Sequence, residues 1–210
     1  KKDLAAEFRP NFMTATTGRT AAPISFLYSP YDMERLKEAG KRLAEVFAPE
    51  PEDKIANLFP YAPHLAFWQV AMASFSTGLF ILSTGGGKVL GTERNLIVID
   101  KIQPQVIIGV PGYIYHLMRT AKERGSNWSF VNKIVLGAEK VTIELKEKML
   151  EHLRGLGAKD PNIFGTYGFT EAKMAWGECP TRLPIASGYH TYPDMEIFEI
   201  VNPKTGEPVG

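Results

Sequence analysis

Hydrophobic residues along the chain follow two patterns that replace each other in turn. Short, nearly continuous apolar runs predict strands over 24–28, 54–59, 79–82, 105–110, 132–136 and 162–167. Longer segments with apolar residues three and four apart predict helices that begin near 30, 63, 92, 111 and 142. Unbroken runs such as QVIIGV (105–110) are typical of parallel strands covered on both faces. The alternation therefore predicts an α/β fold whose mostly parallel sheet is flanked by helices.

Helix starts and a neighbouring strand pair can also be predicted. Ser29 is a good N-cap, Pro30 suits the first helical position, and Asp32 favours the positive end of the helix. Thr142 is the corresponding cap of the last predicted helix. The runs 105–110 and 132–136 are joined by one helix, and such crossovers almost always return parallel. We therefore expect these two strands to be parallel neighbours.

The pattern changes near residue 179. Residues 1–178 read as one α/β body, and 179–210 as the start of a β subdomain. Residues 194–201 (DMEIFEIV) alternate polar and apolar, and 202–206 (NPKTG) form a turn, which predicts an antiparallel piece. No partner strand follows before Gly210, and an unpaired strand is poorly stabilised. We therefore expect the chain to be the central portion of a larger domain.

Charge and composition narrow the class of protein. With 24 Lys+Arg against 23 Asp+Glu, the net charge of +1 gives no electrostatic case for nucleic acid or an anionic membrane. Residues 65–87 carry no charge, but polar residues and three glycines break the run, so a buried helix (63–77) followed by a strand (79–82) explains it better than a membrane span. The single cysteine, Cys179, excludes an internal disulfide, and because no apolar core follows the lysines of KKDLAAEFRP (1–10), we expect that this segment is not a signal peptide. These features predict a cytoplasmic globular protein.

Three polar segments next to predicted strands could carry chemistry. Residues 14–20 (TATTGRT) concentrate hydroxyls around one glycine and a basic residue, a composition that can wrap phosphate oxygens. Residues 137–139 (GAE) follow a buried strand and would let a ligand approach the backbone there. Residues 167–171 (YGFTE) place a flat aromatic ring, a hydroxyl and a carboxylate within five positions, suited to a base, a phosphate and a hard cation. Taken singly, each segment could equally be a polar loop.

In this order and spacing the three segments resemble the adenylate-forming superfamily, and within it the phenylacetate–CoA ligase group. Further similar motifs are 84–87 (TGGG) with 93–94 (ER), 110–113 (VPGY), 188–190 (GYH) and 202–207 (NPKTGE). The resemblance runs from about Thr14 to the end of the chain. It departs from the family in the phosphate loop, where Ala15 and Thr16 replace the usual Ser-Gly and Arg19 stands for Lys. The loop is consequently less flexible than glycine would make it.

The resemblance implies a role for each matching residue. Thr170 and Glu171 would be catalytic, Thr170 contacting the α-phosphate and Glu171 binding Mg²⁺. The acyl side of the site would include His64, an aromatic-gate position, and Gly86. The ATP phosphates and the adenine would be held by a larger set: Thr14, Thr16, Thr17, Gly18, Arg19, Ala138, Glu139, Tyr167 and Gly168.

The resemblance implies that the protein is an AMP-forming carboxylate–CoA ligase, which uses ATP, Mg²⁺ and coenzyme A on a small carboxylate. The carboxylate expected first is an aryl or arylacetic acid. A C-terminal lid domain, which the family uses between half-reactions, would be absent from this chain. The sequence leaves open whether the protein forms a homodimer. Two alternatives stay open as well, a synthetase that adenylates a deazaflavin coenzyme and a nucleotide-binding module that has lost catalysis. Cys179 and His190 could join a metal site, although structural zinc needs about four ligands.

Overall fold

The computed structural model describes residues 2–16, 22–61, 63–181 and 187–209. Helices in these ranges are α1 (Lys2–Glu7), α2 (Pro30–Phe47), α3 (Leu65–Thr77), α4 (Thr92–Ile102), α5 (Pro111–Glu123) and α6 (Ile143–Gly155). Strands are β1 (Phe12–Ala15), β2 (Ser25–Tyr28), β3 (Lys54–Asn57), β4 (Phe80–Ser83), β5 (Val106–Gly109), β6 (Lys133–Leu136), β7 (Asn162–Phe169) and β8 (Met174–Gly177). The sequence predicted each of these elements except α1, β1 and β8.

A central sheet runs in the order β4-β3-β5-β6-β7-β8. Its strands from β4 to β7 are parallel, and β8 pairs antiparallel with β7. β5 and β6 lie side by side in parallel, with Val106 opposite Lys133 and Gly109 opposite Leu136, which confirms the predicted pair. β1 and β2 form a separate antiparallel ribbon. The predicted α/β class with a mostly parallel sheet is thus confirmed.

Helices cover both faces of this sheet. On one face, α4, α5 and α6 bury Leu96, Leu117 and Met149 in a cluster that includes Trp128. On the other face, α2 and α3 contribute a second cluster with aromatic residues such as Phe47. Burial on both faces explains why the central strands read as continuous apolar runs in the sequence.

The caps of two helices agree with the prediction. Ser29 accepts a hydrogen bond from the Asp32 backbone N–H at 3.2 Å, and the Asp32 carboxylate accepts from the Ser29 N–H at 2.8 Å, which completes a capping box. Thr142 caps α6 by accepting from the Leu145 N–H at 3.3 Å. Both caps fix where a helix begins relative to the strand before it.

The charge-free stretch divides as predicted into a helix and a strand. α3 ends at a left-handed Gly78, and β4 follows at Phe80. Among the described residues, no helix is both long and apolar enough to cross a membrane.

The end of the chain differs in part from the prediction. The antiparallel piece is present, but it is the β7–β8 pair, which precedes the expected position. Over 194–201 the described residues form no regular strand, but the predicted turn over 202–206 is present, and across it Val201 forms an antiparallel bridge with Pro208 while the Val209 N–H donates to the Ile200 carbonyl at 2.8 Å. Most of the apolar side chains of this segment are exposed to solvent, and Ile197 is 92% exposed. Alternation stabilises a strand only when a partner pairs with it and its apolar face is buried.

Tyr192 gives a prediction for alkaline stability. Burial raises the pKa of Tyr192 to about 12, and the nearby Glu196 carboxylate adds to the rise. The stability from the protonated hydroxyl is therefore complete below the ordinary pKa of 10.0 and is lost as the pH rises through about 12. Since no described residue bonds the hydroxyl, Tyr192→Phe should change the free energy of unfolding by less than about 1 kcal/mol at neutral pH.

Urea titrations from neutral to alkaline pH measure this effect. Tyr192→Phe should lose less stability than the wild-type protein as the pH approaches 12. Equal alkaline losses in the two proteins would show that Tyr192 titrates normally in the folded state.

Candidate active site

A cavity of about 360 Å³ lies between the sheet and the helix pair α2–α3. Side chains from α2 and α3 form one wall, and residues of β3, β5 and β6 form the other. Most of this lining is apolar, with Leu43, Phe47 and Ile108 among the contributors. The cavity extends from Val106, at the start of β5, to the residues that follow β6 and β7. It therefore reaches the carboxyl edge of the sheet, where open α/β folds bind ligands.

The predicted motifs meet at this edge of the sheet. The cavity lining there includes six of the predicted site residues, Thr16, His64, Ala138, Gly168, Thr170 and Glu171. They come from four separate parts of the chain. The parallel order of β3, β6 and β7 brings three of these parts together, and the Ala15 N–H, which donates to the Pro63 carbonyl at 3.1 Å, links the end of β1 to them. The arrangement places hydroxyl groups and one exposed carboxylate beside an apolar cavity.

The turn after β6 is shaped by close packing. A Cβ atom at Gly137 would lie 2.4 Å from Oγ1 of Thr166, so no larger residue fits without a shift. Ala138 then adopts a φ of 70°, a left-handed conformation that few residues other than glycine favour. The Thr166 hydroxyl donates to the Leu136 carbonyl at 3.0 Å, which ties β7 to the end of β6. These contacts hold Ala138 in a conformation that the sequence alone did not indicate.

The turn that carries Glu171 is anchored to α2. Residues Thr170–Ala172 form a single 3₁₀ turn that ends at a left-handed Lys173. The Lys173 ammonium group lies 2.9 Å from the Asp32 carboxylate and 4.8 Å from the centre of the Tyr28 ring. Burial acts to raise the pKa of Asp32, but the hydrogen bonds from the Ser29 N–H and from Lys173 outweigh it and lower that pKa. The ionised pair is thus a tether between this turn and the helix start.

Lys173→Met should lower the free energy of unfolding by about 1 kcal/mol at neutral pH, since the pair is only partly exposed. Because the pKa of Asp32 is below its ordinary 3.8, the stability from its ionised form is present above that pH and is lost as the pH falls through the lowered value. The difference between wild-type and variant should therefore shrink in acid. Urea titrations at neutral and acid pH measure it, and a difference that stays constant with pH would contradict the tether.

Other predicted site residues lie outside the cavity lining. Thr14 is buried on β1 and donates to the Tyr28 hydroxyl at 3.2 Å. Glu139 is exposed, beside Gly112. Gly86 makes a turn with a φ of 69°, and its carbonyl accepts from the Asn95 side chain at 3.2 Å.

Tyr167 also lies outside the lining and is 55% exposed. Its ring stacks on Trp176 at 5.8 Å between centroids and lies near Tyr189. The ring thus belongs to an aromatic cluster on the β7–β8 pair. Thr17, Gly18 and Arg19 lie outside the described residues.

The two residues proposed for a metal site take part in backbone pairing. The Cys179 N–H donates to Gly188, and the His190 N–H donates to Gly177. Across the described ranges, no three His, Cys, Asp or Glu side chains are grouped so that they could hold a metal ion.

Two features of this region were missed by sequence reasoning. Gln69 of α3 lines the apolar cavity, and the sequence signalled it only as a polar interruption of the charge-free run. Lys146 of α6 and Glu178, which follows β8, form a buried ion pair. No spacing rule connects these two residues, because they come from separate elements.

Fold and site together define an α/β class of protein with a mostly parallel sheet and an apolar cavity that reaches the carboxyl edge of that sheet. The chain belongs to the AMP-binding enzyme family, whose model matches residues 31–210. It is 26% identical over 197 residues to a phenylacetate-coenzyme A ligase of Thermus thermophilus, a match that covers 93% of this chain and 42% of that protein. The chain thus spans less than half the length of this relative.

Solved structures share the fold. A 2-hydroxyisobutyryl-CoA ligase in complex with its acyl-AMP and CoA, in the thioesterification state, superposes with a TM-score of 0.80 at 18% identity, covering 96% of this chain and 42% of that one. A long-chain-fatty-acid-CoA ligase from Archaeoglobus fulgidus gives a TM-score of 0.76 at 18% identity, covering 98% and 40%. At such identities the likeness establishes the fold.

Proposed function

We propose that this chain carries the acid-binding and nucleotide-binding part of an AMP-forming acid–CoA ligase acting on an aryl or arylacetic acid. The observation that carries the proposal is the apolar cavity that opens among Thr170, Glu171 and Ala138. A carboxylic acid with an apolar body would place its tail in the cavity and its carboxylate at the edge of the sheet, beside the hydroxyls that we propose to bind phosphate. Membership of the AMP-binding enzyme family supports the same chemistry.

The reaction has two steps. A carboxylate oxygen of the acid attacks the α-phosphorus of ATP, a P–O bond to the β-phosphate breaks, and pyrophosphate leaves. The thiol of coenzyme A then releases its proton to water and attacks the acyl carbon, the bond from that carbon to the AMP oxygen breaks, and AMP leaves. The acyl-adenylate replaces a poor leaving group by a good one, so the contribution of the protein is positioning and charge stabilisation.

Described residues suit these tasks. Thr170 lines the cavity and would contact the α-phosphate through its hydroxyl, and the exposed Ala138 beside it would lie along the adenine. Glu171 is an exposed carboxylate beside the cavity, and one carboxylate with phosphate oxygens is a usual ligand set for Mg²⁺. A bound Mg²⁺ would neutralise phosphate charge. Tyr167, exposed on β7, stays a prediction for adenine stacking.

The aryl preference has two supports. The cavity lining includes aromatic side chains, Phe47, Phe59 and Phe169, whose rings suit a flat apolar ligand. The relative from Thermus thermophilus is named for phenylacetate. An aryl or arylacetic acid is therefore the substrate class with most support.

ATP–pyrophosphate exchange by the complete encoded polypeptide tests this function. Exchange should depend on added phenylacetate, and coenzyme A should then yield phenylacetyl-CoA and AMP. Acetate is the matched control, since it would leave the cavity empty and should support far slower exchange. Exchange without acid, or with a deazaflavin coenzyme only, would contradict the proposal, and so would binding of ATP with no exchange for any acid.

A further inference from the structure

Gln69 is a polar residue in the wall of an otherwise mostly apolar cavity. It lies on the same face of α3 as Leu65 and Ala73, which also line the cavity, and it is 3% exposed. Within the described part of the chain, its Nε2 atom has no hydrogen-bond partner. A buried amide without a partner is costly, so an unpaired one in a ligand cavity calls for an explanation.

Neighbouring polar groups of the cavity wall are satisfied by the protein. The Ser74 hydroxyl donates to the Val70 carbonyl at 3.0 Å, and the Lys133 ammonium lies 3.5 Å from the Asp53 carboxylate. The Thr166 hydroxyl is bonded within the sheet, to the Leu136 carbonyl. The protein thus pairs these groups and leaves the Gln69 donor for something else.

The position of Gln69 relates the missing partner to the substrate. His64 occupies the N-cap position of α3, and Gln69 is five residues further along; both line the cavity. At 1.5 Å per residue, its Cα lies roughly 7 Å deeper along the helix axis. A group bound there is remote from the reacting carboxylate, at about the place that a para substituent of an arylacetic acid would reach.

We propose that Gln69 is a specificity-determining residue whose amide donates a hydrogen bond to an acceptor oxygen on the distal part of the acid. The substrate class becomes aryl or arylacetic acids that carry an ether, carbonyl or hydroxyl oxygen away from the carboxylate. This inference rests on the proposed function, since it assigns the distal end of the same acid site. An acid without the acceptor oxygen leaves the amide buried and unpaired. A site built for a hydrogen bond therefore discriminates strongly against such an acid.

The test compares para-methoxyphenylacetate with para-ethylphenylacetate, and the corresponding meta pair, which differ in one acceptor oxygen but little in shape. The measured quantity is the ratio of kcat/KM within each pair, from exchange by the complete polypeptide. In the wild-type protein, we expect kcat/KM for the methoxy acid to exceed that for the ethyl acid at least about tenfold in one of the two pairs. Gln69→Met should remove that preference. Gln69→Leu serves if Gln69→Met does not fold. Ser74→Ala is the matched control, because its hydroxyl already has a partner, and it should keep the wild-type ratio.

Thermal unfolding of the proteins without nucleotide decides the inference independently of activity. The Tm of unliganded Gln69→Met should equal or exceed that of the wild-type protein, because an unpaired amide is removed. The methoxy acid should raise the Tm of the wild-type protein more than the ethyl acid does, with no such difference in Gln69→Met.

Equal ratios in wild-type and Gln69→Met, or a Tm several degrees lower in the unliganded variant, would overturn the inference while the ligase function stands. Absence of exchange with every acid would overturn the ligase function. In that case a larger Tm rise with the methoxy acid, lost in Gln69→Met, would still support the amide contact, and equal Tm rises would overturn it.

Discussion

Glu171→Gln is expected to lower carboxylate-dependent ATP–pyrophosphate exchange at least about 100-fold in the complete polypeptide, equivalent to about 2.7 kcal/mol of transition-state stabilisation. Glutamine keeps the shape of the side chain and removes the charge that a hard divalent ion needs. Folding should be unaffected, since Glu171 is exposed in a turn after β7 and lies outside the buried clusters. Exchange at saturating ATP and Mg²⁺ is the assay.

The matched control is Glu147→Gln, an exposed carboxylate on α6 that does not line the cavity. It should leave exchange unchanged, with a Tm close to that of the wild-type protein. Wild-type exchange in Glu171→Gln would show that this carboxylate does not serve the metal, and the assignment of the YGFTE motif would fail at its most specific residue.

Glu178→Gln is expected to lower the free energy of unfolding by about 3–5 kcal/mol, several times the loss expected from breaking an exposed ion pair. The Lys146 ammonium donates to both Glu178 carboxylate oxygens, at 2.5 and 2.6 Å, and the Gly165 N–H donates to one of them at 2.7 Å. Both side chains are nearly inaccessible to solvent. Removing the negative charge leaves a buried ammonium group unpaired, and it loosens the junction between β7 and the end of β8. Chemical unfolding at neutral pH measures the loss.

Two comparisons separate the buried pair from a general charge effect. Replacing both partners, as Lys146→Met with Glu178→Leu, should cost less than Glu178→Gln alone, because no unpaired charge remains. Glu34→Gln breaks an exposed pair with Lys37 and should cost less than about 1 kcal/mol. Equal losses in Glu178→Gln and Glu34→Gln would contradict the assigned burial.

The sequence predicted the parts of the fold that local pattern determines. The parallel pairing of the runs 105–110 and 132–136 could be predicted because strands covered on both faces are continuously apolar. The caps at Ser29 and Thr142 could be predicted because a cap involves residues only three positions apart. β8 was missed because Met174–Gly177 has no alternation of its own, and its pairing with β7 determines it. The expected strand over 194–201 is not regular for the opposite reason, since it has the pattern but, among the described residues, pairs only at its end, where Val201 bridges Pro208.

The candidate site could be predicted only as a set of motifs. Ala138, Thr170 and Glu171 meet at the cavity because the parallel strands before them end at one edge of the sheet. This proximity could be expected from the strand topology alone. The sequence did not indicate that Tyr167 would lie in an aromatic cluster with Trp176, or that Lys173 would tether its turn to Asp32. These contacts join residues whose proximity follows from packing and not from spacing.

Isotope transfer tests the central claim most directly. The complete polypeptide is supplied with ATP, Mg²⁺, coenzyme A and an arylacetic acid whose carboxylate is labelled with heavy oxygen. If the carboxylate attacks the α-phosphorus, one labelled oxygen must pass to AMP when the thioester forms, and mass spectrometry of the AMP detects it. The proposed function predicts label in AMP and none in the pyrophosphate. Label in inorganic phosphate together with ADP, or AMP without label, would contradict acyl-adenylate formation.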